Sequence, residues 1–245
     1  HFKIQRRNMK INKRFVVKTR NWFKKYKIKI GITLMIILTL ALSVSFVKIM
    51  DKTTIHRKKP IEYIIVHYTA NMNPKADARM NAMYLRNKHN AGTHYCIDDK
   101  EVIQCTDEDN VAYAVGDRKW LGFIPKPWLD NKIKNNNSLS FEMCLGGGRN
   151  DSLIIERTAQ FIGWQLVNKG LDITRVVRHH DVTGKRCPKF VYLNPKTGKP
   201  DTGFWDQKAE DGAFWKFRQR VVFYQNIHLK RKNEVKVQQA KIISK

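Results

Sequence analysis

The residues best suited to chemistry lie in Val176–Pro188, VVRHHDVTGKRCP, where two adjacent imidazoles, an amine and a thiol fall within the nine residues from His179 to Cys187. A loop that turns at Thr183–Gly184 and closes at Pro188 can fold such groups around one ion. Two neutral imidazoles and a thiolate around Zn²⁺ leave a fourth position for water, the arrangement of a hydrolytic zinc site. A structural zinc would want a fourth protein ligand. A further imidazole is available at His67, which ends the apolar run Glu62–His67 just before the small polar Thr69. A strand end is a place where a side chain can emerge into a pocket, although an ordinary strand-end histidine fits the same pattern. His1, His56, His89 and His228 fall in tails, a linker or a helix end and read as surface histidines.

The elements that must position these groups alternate between strand and helix. Glu62–His67 (EYIIVH) is a short β-branched run, as expected of a buried strand. Lys75–Asn90 carries Ala76, Met80, Met83 and Tyr84 at helical spacing. Thr93–Ile97 and Val102–Thr106 flank the polar Asp98–Glu101 and predict a hairpin, in which Cys96 and Cys105 could face each other as a disulfide. Residues 107–137 read as a long loop of the kind that lines binding sites. Leu139–Leu145 alternates like a strand, with Cys144 as a buried thiol, and Asp151–Lys169 is in helical register up to Gly170. Phe214–Tyr224 predicts an aromatic-rich helix that closes the domain. This alternation argues for an α/β fold with a central mixed β-sheet flanked by helices.

The motifs IIVHYTAN (64–71), THYCIDD (93–99), SLSFEMC (138–144) and above all RHHDVTGKRCP (178–188) give the chain a family resemblance. Over residues 61–225 it resembles the zinc-dependent N-acetylmuramoyl-L-alanine amidases, which are related to phage lysozyme-amidases and animal peptidoglycan recognition proteins. The resemblance implies that His67, His179 and Cys187 hold Zn²⁺, with His180 a bystander. It further implies Lys185 as a stabiliser of the transition state and Glu142 as general base. Thr93, His94 and Trp120 are then expected at the substrate, with Trp120 and Trp128 fitting walls for glycan or peptide as well as they fit core packing. Other members carry a catalytic Tyr where Thr93 stands, and Thr93 has no phenol, which shifts the burden to Glu142. The implied reaction is hydrolysis of the amide joining the lactyl group of N-acetylmuramic acid to L-alanine in peptidoglycan. A module of the same fold that binds peptidoglycan without cutting it is the alternative, and the complete ligand set favours the enzyme.

Composition bounds the rest. Six Trp and twelve Phe against twenty Gly plus Pro exclude disordered and collagen-like classes. The net charge of +26 would suit a nucleic-acid binder if it were spread over a folded surface. Twelve Lys/Arg with no acid instead lie within residues 1–30, and six with one acid lie in residues 226–245. Residues 51–225 retain only +8, so no specific nucleic acid is expected. Ile30–Val47 is eighteen residues without a charge, about 27 Å as a helix, near the ~30 Å hydrocarbon core.

The expected organisation is therefore a basic cytoplasmic segment (1–29), a transmembrane signal anchor (30–50), a linker (51–60), the catalytic domain (61–225) and a basic tail (226–245). The flanking charge places the N-terminus inside and the catalytic domain on the extracytoplasmic face of the cell membrane. A cleaved signal peptide is disfavoured because the run exceeds the ~7–15 residues of its apolar region and no small-x-small site follows. Nothing in the sequence signals an oligomeric state.

Overall fold

The computed structural model describes residues 45–49, 55–88, 91–115, 129, 132–190 and 205–243. In chain order the elements are β1 (Ser45–Lys48), β2 (Ile55–His56), β3 (Tyr63–Tyr68), α1 (Ala78–Arg86), β4 (Tyr95–Ile97), β5 (Glu101–Gln104), β6 (Asn110–Val111), β7 (Ser138–Met143), α2 (Asp151–Lys169), β8 (Val176–Arg178), α3 (His179–Thr183) and α4 (Gln207–Ile243). Six strands form a mixed sheet in the order β1-β5-β4-β7-β3-β8, with β4 and β5 antiparallel and the other pairs parallel. β2 and β6 form a separate antiparallel pair.

Alternation along β3 divides its side chains between two cores, as the period of two requires. Ile64 and Val66 join Leu139, Phe141, Ile162, Leu166, Phe217 and Val221 beneath α2 and α4. Tyr63 and Ile65 face the other way, against Val115, Leu129, Ile133, Val177 and Val182. His67 follows Ile65 on that second side and stands opposite Glu142 in the β3–β7 register. This pairing lies at the carboxyl ends of parallel strands, where open α/β sheets place their ligands.

Helix α2 has the bounds that its periodicity and stop signal predict. The Asn150 side chain accepts from Leu153 N at its start, and Gly170 at φ 65° ends it in the left-handed conformation that glycine adopts without strain. It crosses α4 at Gly163, where a Cβ would stand 2.8 Å from Gln225 N and 2.9 Å from Tyr224 Cβ. Asp98 shapes the β4–β5 turn by accepting from Lys100 N and Glu101 N.

Several expectations are corrected. The helix expected over 75–90 is the shorter α1, capped by Asp77. It buries Ala78 and Ala82 and leaves Met80, Met83 and Tyr84 exposed. The alanines let the helix lie close on Cys96, Ile103, Cys105 and Cys144, whereas the larger side chains would hold it away. All four cysteines are free. Cys96 pairs with Ile103, so Cys105 sits two residues out of register for a bridge.

The helix expected over 214–224 runs from Gln207 to Ile243 and absorbs most of the expected tail. Residues 51–60 are more than a linker: β2 lies there, and Arg57 donates to the carbonyls of Glu108, Asn110, Asn136 and Ser138.

Ser45–Lys48, counted within the expected membrane segment, is a strand whose backbone pairs with β5. Phe46 meets Phe161 on one face, and Val47 and Ile49 pack against the α1 core on the other. Such alternation favours a strand over continued helix. The remaining apolar residues, 30–44, lie outside the described residues. Among the described residues, no helix is long and apolar enough to cross a membrane.

Candidate metal centre

Three buried donors converge at the carboxyl edge of the sheet. His67 ends β3, His179 opens α3 directly after β8, and Cys187 returns on the following loop. Their donor atoms lie within 4.8 Å of one another, and among the described residues no other three His, Cys, Asp or Glu side chains form such a group. His67 Nδ1 is 3.0 Å from His179 Nδ1 and 3.9 Å from Cys187 Sγ. Tetrahedral ligation at ~2.0–2.3 Å requires donors roughly 3.3–3.8 Å apart, so this set fits a zinc ion with only small shifts. Glu142 Oε1 is 4.0 Å from His67 Nδ1, and its Oε2 is buried with no hydrogen-bond partner, as is Nε2 of His67. An unpartnered carboxylate oxygen such as Glu142 Oε2 is expected beside an ion and its water, whereas His67 Nε2 lies on the ring edge away from Nδ1.

The local sequence explains the convergence. α3 spans five residues, and Gly184 at φ 82° ends it and reverses the chain. The backbone N of His180 then donates to Cys187 O at 2.7 Å, which brings the thiol back beside His179. Asp181 accepts from Arg178 N at 2.9 Å and from its guanidinium at 2.7 Å, closing the start of α3. The same guanidinium reaches Asp211 of α4 at 2.7 Å and lies over the Phe214 ring. Arg178 and Asp211 were not singled out in the sequence. Arg178 is inside the motif, but its second partner lies thirty-three residues further along.

Burial dominates the electrostatics. It lowers the pKa of His67 well below the usual imidazole range, with His179 and Lys185 adding to the effect. His179 is lowered to about 3 by burial and by the Lys185 and His180 charges. Both rings are therefore neutral at neutral pH, as metal ligands must be. Burial pushes the Glu142 carboxyl up to about 7 against the opposing pull of Lys185. The Cys187 thiol is likewise raised, by burial first and then by Glu142. In the metal-free state this favours the thiol, and a bound cation would reverse it.

The remaining expected site residues are placed differently. Lys185 is exposed at the rim, its charge acting on His67, His179, Cys187 and Glu142. His180 is half-buried beside the Trp205 ring, with Nδ1 3.2 Å from Lys185 O, and its donor atoms are not in the convergent group. Thr93 and His94, expected at the substrate, are fully buried. Thr93 Oγ1 donates to Ser140 O at 3.0 Å. His94 Nδ1 accepts from Ser140 N, which leaves the proton on Nε2 to be donated to Asn110 O. Both tie β4 to β7 from inside. Trp120 and Trp128 lie outside the described residues.

A sequence model of the family described as N-acetylmuramoyl-L-alanine amidase (Amidase_2) matches residues 57–190. The N-acetylmuramoyl-L-alanine amidase CwlA of Bacillus subtilis (strain 168) is 31% identical over 133 residues, covering 53% of this chain and 44% of CwlA. BlyA of the same organism, another N-acetylmuramoyl-L-alanine amidase, is 34% identical over 136 residues, covering 52% and 36%. The chain thus spans less than half the length of these relatives.

Two solved structures share the fold. A mutant endolysin from Bacillus subtilis has TM-score 0.54 at 20% identity, covering 73% of this chain and 99% of the endolysin. The Staphylococcus aureus hydrolase AmiA, in complex with its ligand, also has TM-score 0.54, at 14% identity, covering 76% and 85%. With the family match extending over more than half of its length, this chain belongs to the N-acetylmuramoyl-L-alanine amidase family.

Proposed function

We propose that this protein is a zinc-dependent amidase that hydrolyses the bond between the lactyl group of N-acetylmuramic acid and L-alanine in peptidoglycan. The observation that carries the reading is the buried set His67, His179 and Cys187 with the Glu142 carboxylate beside it, in a chain of this family. A bound Zn²⁺ would lower the pKa of its water towards ~7 and polarise a carbonyl.

The chain's own residues supply the remainder. Glu142, raised towards neutrality by burial, takes a proton from the attacking water and delivers it to the leaving amine of L-alanine. Lys185 offers an ammonium at the rim to the carbonyl oxygen as its negative charge grows. Arg178, held between Asp181 and Asp211, keeps the start of α3 and hence His179 in position.

The proposed setting is the extracytoplasmic face of the cell membrane, with the N-terminus inside. Residues 30–44 are fifteen uncharged residues, about 22 Å as a helix. With Ile28 included and Lys29 snorkelling, the run reaches the ~17-residue lower limit of a span.

The test is incubation of the purified full chain, loaded with zinc, with cell-wall peptidoglycan. Mass spectrometry should find stem peptides with a free L-alanine amine, and chelator should abolish their release. Binding to the wall with every lactyl–alanine linkage intact would leave the chain a binding module and overturn the enzymatic reading.

A further inference from the structure

Two exposed aromatic side chains, Phe46 and Trp164, are joined through Phe161, whereas Tyr84, Tyr113, Trp215 and Phe223 are exposed without ring contact to them. Phe46, 51% exposed on the edge strand β1, has its ring 6.3 Å from that of Phe161. Phe161 stacks on Trp164 at 5.4 Å and 11°, and Trp164 is itself 41% exposed. Residues of α2 that flank Trp164 in sequence meet the basic part of α4. Lys232 Nζ reaches Val167 O, and His228 is hydrogen-bonded to the backbone of Gln160. From Leu229 to Gln239 every side chain of α4 is exposed, including Lys230, Arg231, Lys232 and Lys236 against the single acid Glu234. Lys232 thus reaches the helix that bears Trp164, from a segment of α4 whose other cations are exposed.

We propose that the Phe46–Phe161–Trp164 face, together with Arg231 and Lys232 of α4, docks on an anionic phospholipid bilayer. Indole and phenyl rings settle at the headgroup level, where one part of the ring is dry and the other wet. Nearby Lys and Arg side chains add electrostatic attraction to an anionic leaflet. The position of the patch in the chain selects a membrane over other occupants. Phe46 lies inside the uncharged run Ile30–Val47, two residues beyond the stretch 30–44 assigned to the proposed anchor, so the aromatic face begins where that anchor stops. The inference rests on that anchor reading, and its test separates the two.

Full chain is mixed with vesicles of phosphatidylcholine and phosphatidylglycerol, with or without brominated acyl chains, and flotation and tryptophan emission are recorded. Flotation that persists in high salt reports attachment through the apolar run. Bromine quenching that falls about twofold in Trp164→Phe reports the docked face. The paired variant Phe46→Ser with Arg231→Glu should reduce quenching while flotation persists. Activity on soluble muramyl peptides should stay unchanged in both variants, showing that they fold.

Flotation with equal quenching in wild type and Trp164→Phe would overturn the docking, whether wall polymer or the chain's own residues cover the face. Trp164-dependent quenching without flotation would retain the docking and remove the anchor. Loss of both would remove both.

Discussion

Two groups of three buried side chains, each containing cysteine, lie in this domain and differ in everything but burial. At the carboxyl edge Cys187 meets two neutral imidazoles, with a carboxylate 4.0 Å from one of them. Beneath α1, Cys96, Cys105 and Cys144 meet each other, Ala78, Ala82 and Ile103. Contacts with the Cys105 and Cys144 thiols, and then burial, hold the Cys96 thiol well above its ordinary pKa. The first set offers mixed donors around unpartnered polar atoms. The second is a packed core in which sulfur serves as a small hydrophobe. A cysteine's neighbours, more than its depth, decide whether it does chemistry.

The largest effects should separate the two groups. His67→Ala, His179→Ala and Cys187→Ser should each lose bound zinc and reduce amide hydrolysis by at least about 10³-fold, a loss of the order of 4 kcal/mol in transition-state stabilisation. His180→Ala and Cys144→Ala should keep stoichiometric metal by elemental mass spectrometry. Metal retained in Cys187→Ser, or lost in Cys144→Ala, would reverse the assignment of the two clusters.

Glu142→Gln comes next, with kcat falling about 10²–10⁴-fold while zinc is retained. Its effect on stability has a defined sign. The folded carboxyl titrates near 7 against ~4.3 unfolded, so the folded state binds more protons and the metal-free protein loses stability as pH rises through that window. The imidazoles act in the opposite sense. His179, at about 3 when folded against ~6.5 unfolded, makes stability fall as pH drops through that interval. In the metal-free protein Glu142→Gln should therefore raise the melting temperature at pH 8 and leave it unchanged near pH 4. Equal shifts at both pH values would show that the carboxyl is not buried as described.

The smallest effect belongs to the thiol core. Cys96→Ser places a hydroxyl among apolar groups and should cost about 1–3 kcal/mol in denaturant unfolding, with metal content and activity unaltered.

Much of this organisation was legible in the sequence because it is local. The β-branched run of β3, the Gly170 stop of α2 and the spacing between His179 and Cys187 each carry their cause within a few residues. What was missed depends on partners far along the chain. The register of α1 is decided by close packing on the sheet, which favours two alanines over larger neighbours at equally good helical spacing. Arg57 looks like a linker charge until the carbonyls from 108 to 138 surround it. Thr93 and His94 adjoin the site in sequence motif but are drawn inward by bonds to Ser140. β1 is hidden because a membrane-length apolar run and an edge strand draw on the same residue types. The basic segment after Tyr224 suggested a tail by its charge, although it contains neither Gly nor Pro to stop the helix.

The 37 residues of α4 amount to a rod of about 55 Å, and its last turns change what the basic residues can do. Charges on a floppy tail explore many arrangements and lose that freedom when they meet a polyanion. Lys230, Arg231 and Lys236 are instead borne on one rigid axis with their spacing already set. Little backbone entropy is then lost on binding, and the same rigidity discriminates against anions whose charge spacing does not match the helix.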